Sequence, residues 1–187
     1  MNRKDFLISL IGTTVASRIP LQQEAVFEKF TDGGNVPNSK YPLTIYKNAF
    51  KARNDQGAEW LEKHFKKNQW YNSWRNGIFD FQHYHSITHE VLGIYSGEAD
   101  VLMGGGQGKI LRVTAGDIIV IPAGVGHKRI RSSNLGVVGA YPNGMAVDIM
   151  RAMPGERPQV DTHIAAVPFP ETDPLLGRND GIVLSWK

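Results

Sequence analysis

Three histidines and one glutamate stand in the middle of the chain at a spacing that suits ligation of a single metal ion. His83 and His85 are two residues apart, Glu90 follows after four further residues, and His127 lies downstream. Side chains alternate across a strand, so the two neighbouring histidines point to the same face and can bind one ion together. Glu90 brings an oxygen ligand from the next strand, and a turn delivers His127. These four residues predict a mononuclear metal site.

The residues next to these four predict the surroundings of the metal site. Phe79 and Phe81 fall on the same face as the paired histidines, so we expect a dry apolar floor beneath the ion. His89 falls on the face opposite to Glu90, which favours outer-face packing, or a hydrogen bond that supports a ligand, over ligation itself. His64 lies in a polar helical pattern and His163 in the tail, so both are interpreted as surface or packing residues.

Three arginines are candidates for substrate binding. If the strand after His127 runs regularly, Arg129 and Arg131 lie on the same inward face as His127. Arg75 lies two residues before Gly77, at the start of the stretch that carries the first two histidines. A guanidinium group favours carboxylate or phosphate. If these side chains face the cavity, the ligand is anionic. The alternative is that they turn to solvent or pair with Asp or Glu.

Glycines at fixed distances frame both groups of candidate ligands. Residues 77–97 and 116–127 resemble the two motifs of the cupin superfamily, with Arg131 where the second motif usually has Asn. Residues of about 35–187 resemble a small bacterial branch of single-domain cupins, the YjlB-like proteins. The stretches that carry this wider resemblance are Trp74-Arg-Asn-Gly-Ile-Phe79, His83-Tyr-His-Ser86, His89-Glu-Val-Leu-Gly93, Pro122-Ala-Gly-Val-Gly-His127, Gly139-Ala-Tyr-Pro142 and Asp173-Pro174.

The resemblance implies an all-β fold, the cupin-type double-stranded β-helix or jelly-roll barrel. The 20 glycines and 10 prolines scattered between short apolar runs suit such a barrel with many turns. We assign residues 1–22 to an export signal or N-terminal extension and 23–76 to an N-terminal strand and helix extension. Residues 77–152 form the barrel with both motifs, and 153–187 form an irregular tail that packs on it.

Local patterns place the elements within these parts. Apolar residues Ala58, Leu61 and Phe65 recur at helical spacing behind Asn54 or Asp55, which predicts a short helix before the barrel. A strand is expected at 41–46. The barrel strands are expected near 78–85, 89–96, 99–103, 109–114, 117–121, 127–132, 135–141 and 146–150.

Composition limits the cofactor and the partners. The chain has no cysteine, so the site offers nitrogen and oxygen ligands, which suit one divalent transition metal: Mn, Fe, Ni, Co or Zn. The net charge of +3 is mild and the basic residues do not cluster, so no nucleic-acid partner is expected. No segment is long enough to span a membrane. Exposed barrel edges and the cupin resemblance favour a homodimer.

Two functions of different classes remain open. The first is a metalloenzyme that acts on a small oxygenated metabolite by dioxygenase or by isomerase or lyase chemistry. The second is a non-catalytic metal- or sugar-binding module. The four intact ligands favour the enzyme, since a pure binder has no need of an ion with open positions. Fold alone does not decide the chemistry.

The N-terminus has the layout of a secretory signal. Arg3 and Lys4 precede a mostly apolar stretch at 6–16, which is followed by small residues and Pro20. The basic pair resembles a twin-arginine signal with Lys4 in place of the second arginine. We therefore expect a periplasmic or otherwise exported protein. The alternative is a cytoplasmic protein whose N-terminus is a structural extension that swaps onto a dimer partner.

Export predicts that the mature chain from the native host begins after roughly residue 16–22, the usual reach of such a leader. Intact-mass spectrometry of the native protein checks this expectation. Recovery of the full-length mass from the cytosol would make the N-terminus structural.

Overall fold

The computed structural model describes residues 24–186. The predicted export signal at 1–22 therefore lies outside the described residues. The elements in chain order are β1 (Ala25–Glu28), β2 (Leu43–Tyr46), α1 (Asn54–Lys67), β3 (Trp70–Asn76), β4 (Glu90–Met103), β5 (Lys109–Thr114), β6 (Ile118–Ile121), β7 (His127–Pro142), α2 (Gln159–Ala166) and α3 (Ile182–Ser185). Within 24–186, no helix has both the length and the apolar character needed to cross a membrane.

Seven strands form one antiparallel sheet, which confirms the expected all-β jelly-roll class. The strand order is β1-β2-β6-β4-β7-β3, and β5 pairs with β4 beside this path. The 14-residue strand β4 pairs with β5, β6 and β7. A single long strand therefore joins three of its neighbours, and it begins at Glu90, one of the candidate ligands.

Strand β6 shows that the sheet is covered on both faces. All four of its residues are buried. Because side chains alternate along a strand, Ile119 and Ile121 pack into the barrel interior. Ile118 and Val120 pack into a second apolar cluster on the other face, formed with α1 and the C-terminal tail. This double burial explains why β6 reads as a continuous apolar run.

Helix α1 supplies part of the cover on the outer face. Ala58, Leu61 and Phe65 are fully buried there, as their spacing predicted. The opposite side of the helix carries charged residues. The amphipathic pattern of the sequence thus identified the packing face correctly.

Four predicted barrel strands merge into two long strands. Strand β4 covers the predicted strands at 89–96 and 99–103, and β7 covers those at 127–132 and 135–141. Gly97 and Asn134 have positive φ angles of 62° and 48°. A Cβ on Gly97 would lie 2.1 Å from the Ser133 carbonyl oxygen, so the close approach requires glycine. The paired strands bend at this point and do not end.

The predicted strands at 78–85 and 146–150 are wrong. These segments follow irregular paths and contribute only isolated bridges among the described residues, one of which joins Tyr84 to Met150. The amide of Ser86, just beyond the first segment, donates to a carboxylate in the second segment, and not to a neighbouring strand. Side-chain acceptors thus replace the backbone ladder here.

The C-terminal tail packs on the barrel and contains two short helices, α2 and α3, in a region whose composition predicted irregular structure. The carboxylate of Asp173, fully buried, organises it. This carboxylate accepts hydrogen bonds from the amides of Leu175 at 2.7 Å, Leu176 at 2.7 Å and Ile182 at 2.9 Å, and from the Tyr46 hydroxyl on β2. The tail is therefore tied directly to the sheet.

We expect Tyr46→Phe to lower the free energy of unfolding by about 2 kcal/mol, because it removes a buried hydrogen bond to a charged acceptor. Urea unfolding should show a lower midpoint with an unchanged slope. Tyr71→Phe is the control, since this half-exposed hydroxyl makes no hydrogen bond within the described residues. Equal losses in the two variants would contradict the assigned role.

Candidate metal centre

Three parts of the chain deliver the candidate ligands. His83 and His85 lie on the irregular segment before β4, Glu90 is the first residue of β4, and His127 is the first residue of β7. The backbones of His83 and His127 are paired: the His83 amide donates to the His127 carbonyl at 3.2 Å, and the reverse bond measures 2.8 Å. The Gly124 amide donates to the His85 carbonyl at 2.8 Å. The turn before β7 is thus fastened to the first two histidines.

The four side chains converge in the protein interior. One nitrogen from each of His83, His85 and His127 lies within 4.8 Å of the others. Glu90 Oε2 lies 3.3 Å from His85 Nε2 and 3.4 Å from His127 Nε2. All four residues are buried, with exposures of 6% or less. The structure therefore brings the three predicted histidines together in one group, with Glu90 beside two of them.

The second nitrogen of each imidazole is occupied by a backbone carbonyl. His83 Nδ1 lies 3.2 Å from the Phe81 oxygen, His127 Nδ1 lies 3.2 Å from the Val125 oxygen, and His85 Nδ1 faces the Asp148 oxygen. A carbonyl only accepts, so each Nδ1 carries the proton and donates it. Each Nε2 is then the nitrogen available to bind a metal, which is the arrangement typical of ligating histidines.

Burial and the charge of Glu90 shift the pKa values of the clustered histidines in opposite directions. Burial, together with the charges of His127 and His85, lowers the pKa of His83 to about 3. Burial also acts to lower the pKa of His85, but the adjacent Glu90 carboxylate outweighs it, so the net pKa is raised. Burial acts to raise the pKa of Glu90, whereas the charge of His85 lowers it overall. Without a metal, His85 and Glu90 thus each favour the charged form of the other.

The cluster fits a divalent transition metal. Despite its proximity to Glu90, His85 Nε2 has no hydrogen-bond partner of acceptable geometry in the described part of the chain. A buried polar atom left without a partner is costly. Three imidazole nitrogens and one carboxylate oxygen form a donor set that such ions bind well. His83, His85 and His127 could therefore hold a metal, with Glu90 beside them.

Two groups that sequence reasoning missed support the cluster. Besides its carbonyl contact with His85, Asp148 accepts a hydrogen bond from the Ser86 amide at 2.8 Å and another from the Ser86 hydroxyl. Asp148 is far from the motifs in sequence, and no spacing signal pointed to it. It holds the segment that carries the first two histidines.

The second group is a tyrosine and tryptophan pair beside Glu90. Tyr141 is buried, its ring centroid lies 6.3 Å from that of His85, and its hydroxyl accepts a hydrogen bond of 2.9 Å from Trp74 Nε1. Burial and then the charge of Glu90 raise the pKa of Tyr141, so the hydroxyl stays protonated. Both residues lie in stretches that resemble the cupin branch, and this resemblance is the signal that could have found them.

His89 lies outside the cluster, with its ring between aromatic residues on the other face of the sheet. Its ring centroid is 5.0 Å from that of Trp186, and its Nδ1 accepts a hydrogen bond of 2.9 Å from the Ala123 amide. Burial lowers its pKa to about 4. The ring packs where strand alternation placed it.

The two phenylalanines expected near the ion do contact the cluster. The rings of Phe79 and Phe81 are stacked at 4.7 Å, and their centroids lie 5.1 Å and 5.5 Å from the ring of His83. Phe79 is 43% exposed, so the pair reaches from His83 toward solvent and is not a fully dry floor.

Of the three candidate arginines, only Arg129 lines a cavity together with one of these phenylalanines. This cavity of about 390 Å³ includes Phe79, and the Arg129 Nε donates to the Ile78 carbonyl at 2.9 Å. Arg131 pairs with Asp100 in a separate surface cavity. The two arginines do not share a face because the pairing of β7 with β4 shifts register between them. Regular alternation, on which the expectation for Arg131 depended, therefore fails.

Arg75 also lies away from the cluster. Its guanidinium forms a two-pronged ion pair with Glu62 of α1, with both nitrogen–oxygen distances at 2.8 Å. The outward face of β3 meets the helix, so this arginine joins two elements of the fold. The expectation that Arg75 faces the cavity is corrected by this placement.

An antiparallel barrel with a buried histidine cluster, formed by the start of β7 and the segment before β4, is typical of a cupin. No family model matches the chain. It is 38% identical over 168 residues to the uncharacterized protein YjlB of Bacillus subtilis, a match that covers 89% of this chain and 99% of that protein. The chain belongs to the YjlB-like branch of the cupins.

Solved structures overlap with parts of the fold. A DUF861 family protein from Thermotoga maritima is 21% identical and covers 53% of this chain and 96% of its own, with a TM-score of 0.31. The oxalate decarboxylase of Bacillus subtilis is 19% identical and covers 62% and 29%, with a TM-score of 0.35. At these TM-scores, the overlaps carry no information about the chemistry of this chain.

In the metal-free protein, we expect the His85 pKa to lie above 6.5 and the His83 pKa near 3. The pKa of His85 is higher in the folded protein than in the unfolded protein. Its ion pair with Glu90 therefore contributes its full stability at pH values below the pKa of His85 in the unfolded protein. That stability is lost as the pH rises through the pKa of His85 in the folded protein. Nitrogen-15 NMR titration of the imidazoles measures both values.

Glu90→Gln provides the matched control for this titration. It removes the charge that raises the pKa of His85 and leaves the burial that lowers it, so the His85 pKa should fall below 6.5. A His85 pKa that stays above 6.5 in Glu90→Gln would show that another group supplies the effect.

Proposed function

We propose that this chain is a metal-dependent cupin enzyme that binds one divalent ion through His83, His85, Glu90 and His127. The observation that carries the proposal is the common orientation of the three imidazoles. Each Nδ1 donates to a backbone carbonyl, which leaves three Nε2 atoms beside one carboxylate. Such orientation costs conformational entropy, and a bound metal ion would offset that cost.

The ligand set restricts the metal to Mn, Fe, Ni, Co or Zn without choosing among them. When bound, an ion of this kind supplies Lewis acidity toward a substrate oxygen, an activated water, or, for iron, reaction with dioxygen. The reaction we propose is therefore either dioxygenase chemistry or isomerase or lyase chemistry on a small oxygenated metabolite.

The residues around the cluster have roles consistent with such chemistry. Phe79 and Phe81 cover one side of His83 and limit the access of water, which strengthens electrostatic interactions there. Tyr141 presents a protonated hydroxyl beside Glu90 and can hold that carboxylate in place. Arg129 lies in the cavity that includes Phe79, 3.7 Å from the Asp80 carboxylate, and an anionic substrate would compete with that carboxylate for its positive charge.

The second candidate is a non-catalytic metal- or sugar-binding module. The observation that favours it is the burial of all four ligands, with exposures of 6% or less. The cavity that contains Arg129 is lined by Phe79 and not by the histidines themselves. A substrate must therefore reach the ion past the phenylalanine pair, whereas a module that only retains its ion requires no such path.

Two further properties remain predictions. A homodimer is expected because β1 forms one edge of the sheet and exposes Val26 and Phe27. A periplasmic location rests on the twin-arginine-like N-terminus alone.

We expect purified protein to hold about one divalent ion per chain and His127→Ala to hold almost none, because the variant loses one of four ligands from a preformed site. Elemental analysis measures the metal content. His64→Ala is the matched control, since this ring stacks on Trp60 of α1, away from the cluster. Full metal content in His127→Ala would refute the assigned site.

Turnover then separates the enzyme from the binding module. Protein loaded with each of the five metals should convert a member of a library of small oxygenated acids. Oxygen uptake by the iron-loaded form identifies dioxygenase chemistry, whereas conversion without oxygen uptake identifies isomerase or lyase chemistry. Tight metal binding with a water-inaccessible ion and no conversion across the library would establish the binding module instead.

A further inference from the structure

Arg151 stands apart from the other arginines of the described chain. Its side chain makes no hydrogen bond or ion pair within residues 24–186, and its guanidinium carbon lies 3.6 Å from the ring centroid of Phe81. The other arginines of this part of the chain all donate to carboxylate or carbonyl oxygens: Arg53, Arg75, Arg112, Arg129, Arg131, Arg157 and Arg178. Arg151 alone keeps its hydrogen-bond donors available.

The ring under Arg151 connects it to the histidine cluster. Phe81 lies 5.5 Å from the ring of His83, and its stacking partner Phe79 lies 5.1 Å from the same histidine. One aromatic side chain therefore separates the guanidinium from a candidate metal ligand. By these distances, a molecule that bound at the cluster and extended along the two rings would come within reach of Arg151.

The backbone at Arg151 is held against the segment that carries the histidines. Met150 and Tyr84 exchange backbone hydrogen bonds of 2.9 and 3.0 Å. The Arg151 amide donates to Glu156 at 2.8 Å, and the Tyr84 hydroxyl donates to the same carboxylate at 2.7 Å. Tyr84 lies between His83 and His85, so the arginine is fixed relative to the cluster before any ligand arrives.

The position of the Arg151 guanidinium over the Phe81 ring suits a carboxylate. A guanidinium that lies flat on an aromatic ring makes a cation–π contact through its face. Its N–H donors, which lie in the guanidinium plane, remain available for a planar group that accepts two hydrogen bonds. Charge-assisted bonds of this kind are roughly twice as strong as neutral ones. The exposed position of Arg151 leaves those donors accessible.

We propose that Arg151 is a specificity-determining residue that binds the free carboxylate of a short dicarboxylate, while the other end of the ligand meets the metal centre. The inference rests on the proposed function and names its substrate class. Arg151 replaces Arg75 and Arg131 as the cation beside the site, since both of those are paired with acidic residues of the fold.

The first test compares two acids on cobalt-loaded protein, with the visible spectrum of the ion as the readout. Arg151→Ala should weaken succinate binding by about 10- to 100-fold, the loss expected for a two-pronged charged contact. Butyrate, which lacks the second carboxylate, should bind equally to both proteins. Arg151→Lys should recover only part of the loss, because an ammonium group cannot form the planar pair.

Arg178→Ala is the control, since this exposed arginine pairs with Glu171 in the tail. It should leave succinate binding unchanged. Equal weakening of succinate and butyrate in Arg151→Ala, or no weakening of either, would overturn the inference. Equal cobalt content in all variants confirms that the ion itself is not disturbed.

A second measurement separates this inference from the proposed function. In metal-free protein labelled with nitrogen-15, the Arg151 Nε signal is assigned by its loss in Arg151→Lys and followed during succinate titration. A selective shift of that signal supports the anion site even if no metal binds. Cobalt binding together with an unshifted Arg151 signal and an unchanged succinate affinity would reject Arg151 and retain the metal centre.

Discussion

Two hydrogen bonds between the backbones of His83 and His127 are the constraint on which the centre depends. They align an irregular segment with the start of a strand, so that two rings from distant parts of the sequence lie 3.9 Å apart between centroids. Each ring then finds its own carbonyl at Nδ1, and Glu90 faces His85 and His127. Without this pairing, contacts between the four buried polar side chains would alone have to offset the conformational entropy lost when they are ordered.

The sheet around this pairing is rigid because it is packed on both faces. The interior cluster holds Leu92 and Ile94 of β4 behind Glu90, and the second cluster holds Val91, which lies between Glu90 and Leu92, on the opposite side. A slip of one residue would exchange these sets and turn Glu90 out of the interior. Double-sided packing therefore fixes the register, and the register fixes the direction of the carboxylate.

Spacing alone was enough to predict that the three histidines and Glu90 lie together, because alternation and turn chemistry are local properties of the chain. The burial of α1 followed from helical periodicity for the same reason. Arg131 shows the limit of this approach: a register shift between β7 and β4 changes its face, and nothing in the sequence around it reports the shift. Asp148 and Arg151 were missed because their roles arise from a long-range contact between two irregular segments, which no periodic pattern encodes.

The tie between Asp173 and Tyr46 has a consequence for how the molecule holds together as a thermodynamic unit. It fastens the tail to β2, which pairs with β6, and β6 in turn pairs with the start of β4 at Glu90 and Ile121. We therefore expect docking of the tail and order around Glu90 to be coupled. A boundary drawn between barrel and tail would then divide one cooperative unit of unfolding.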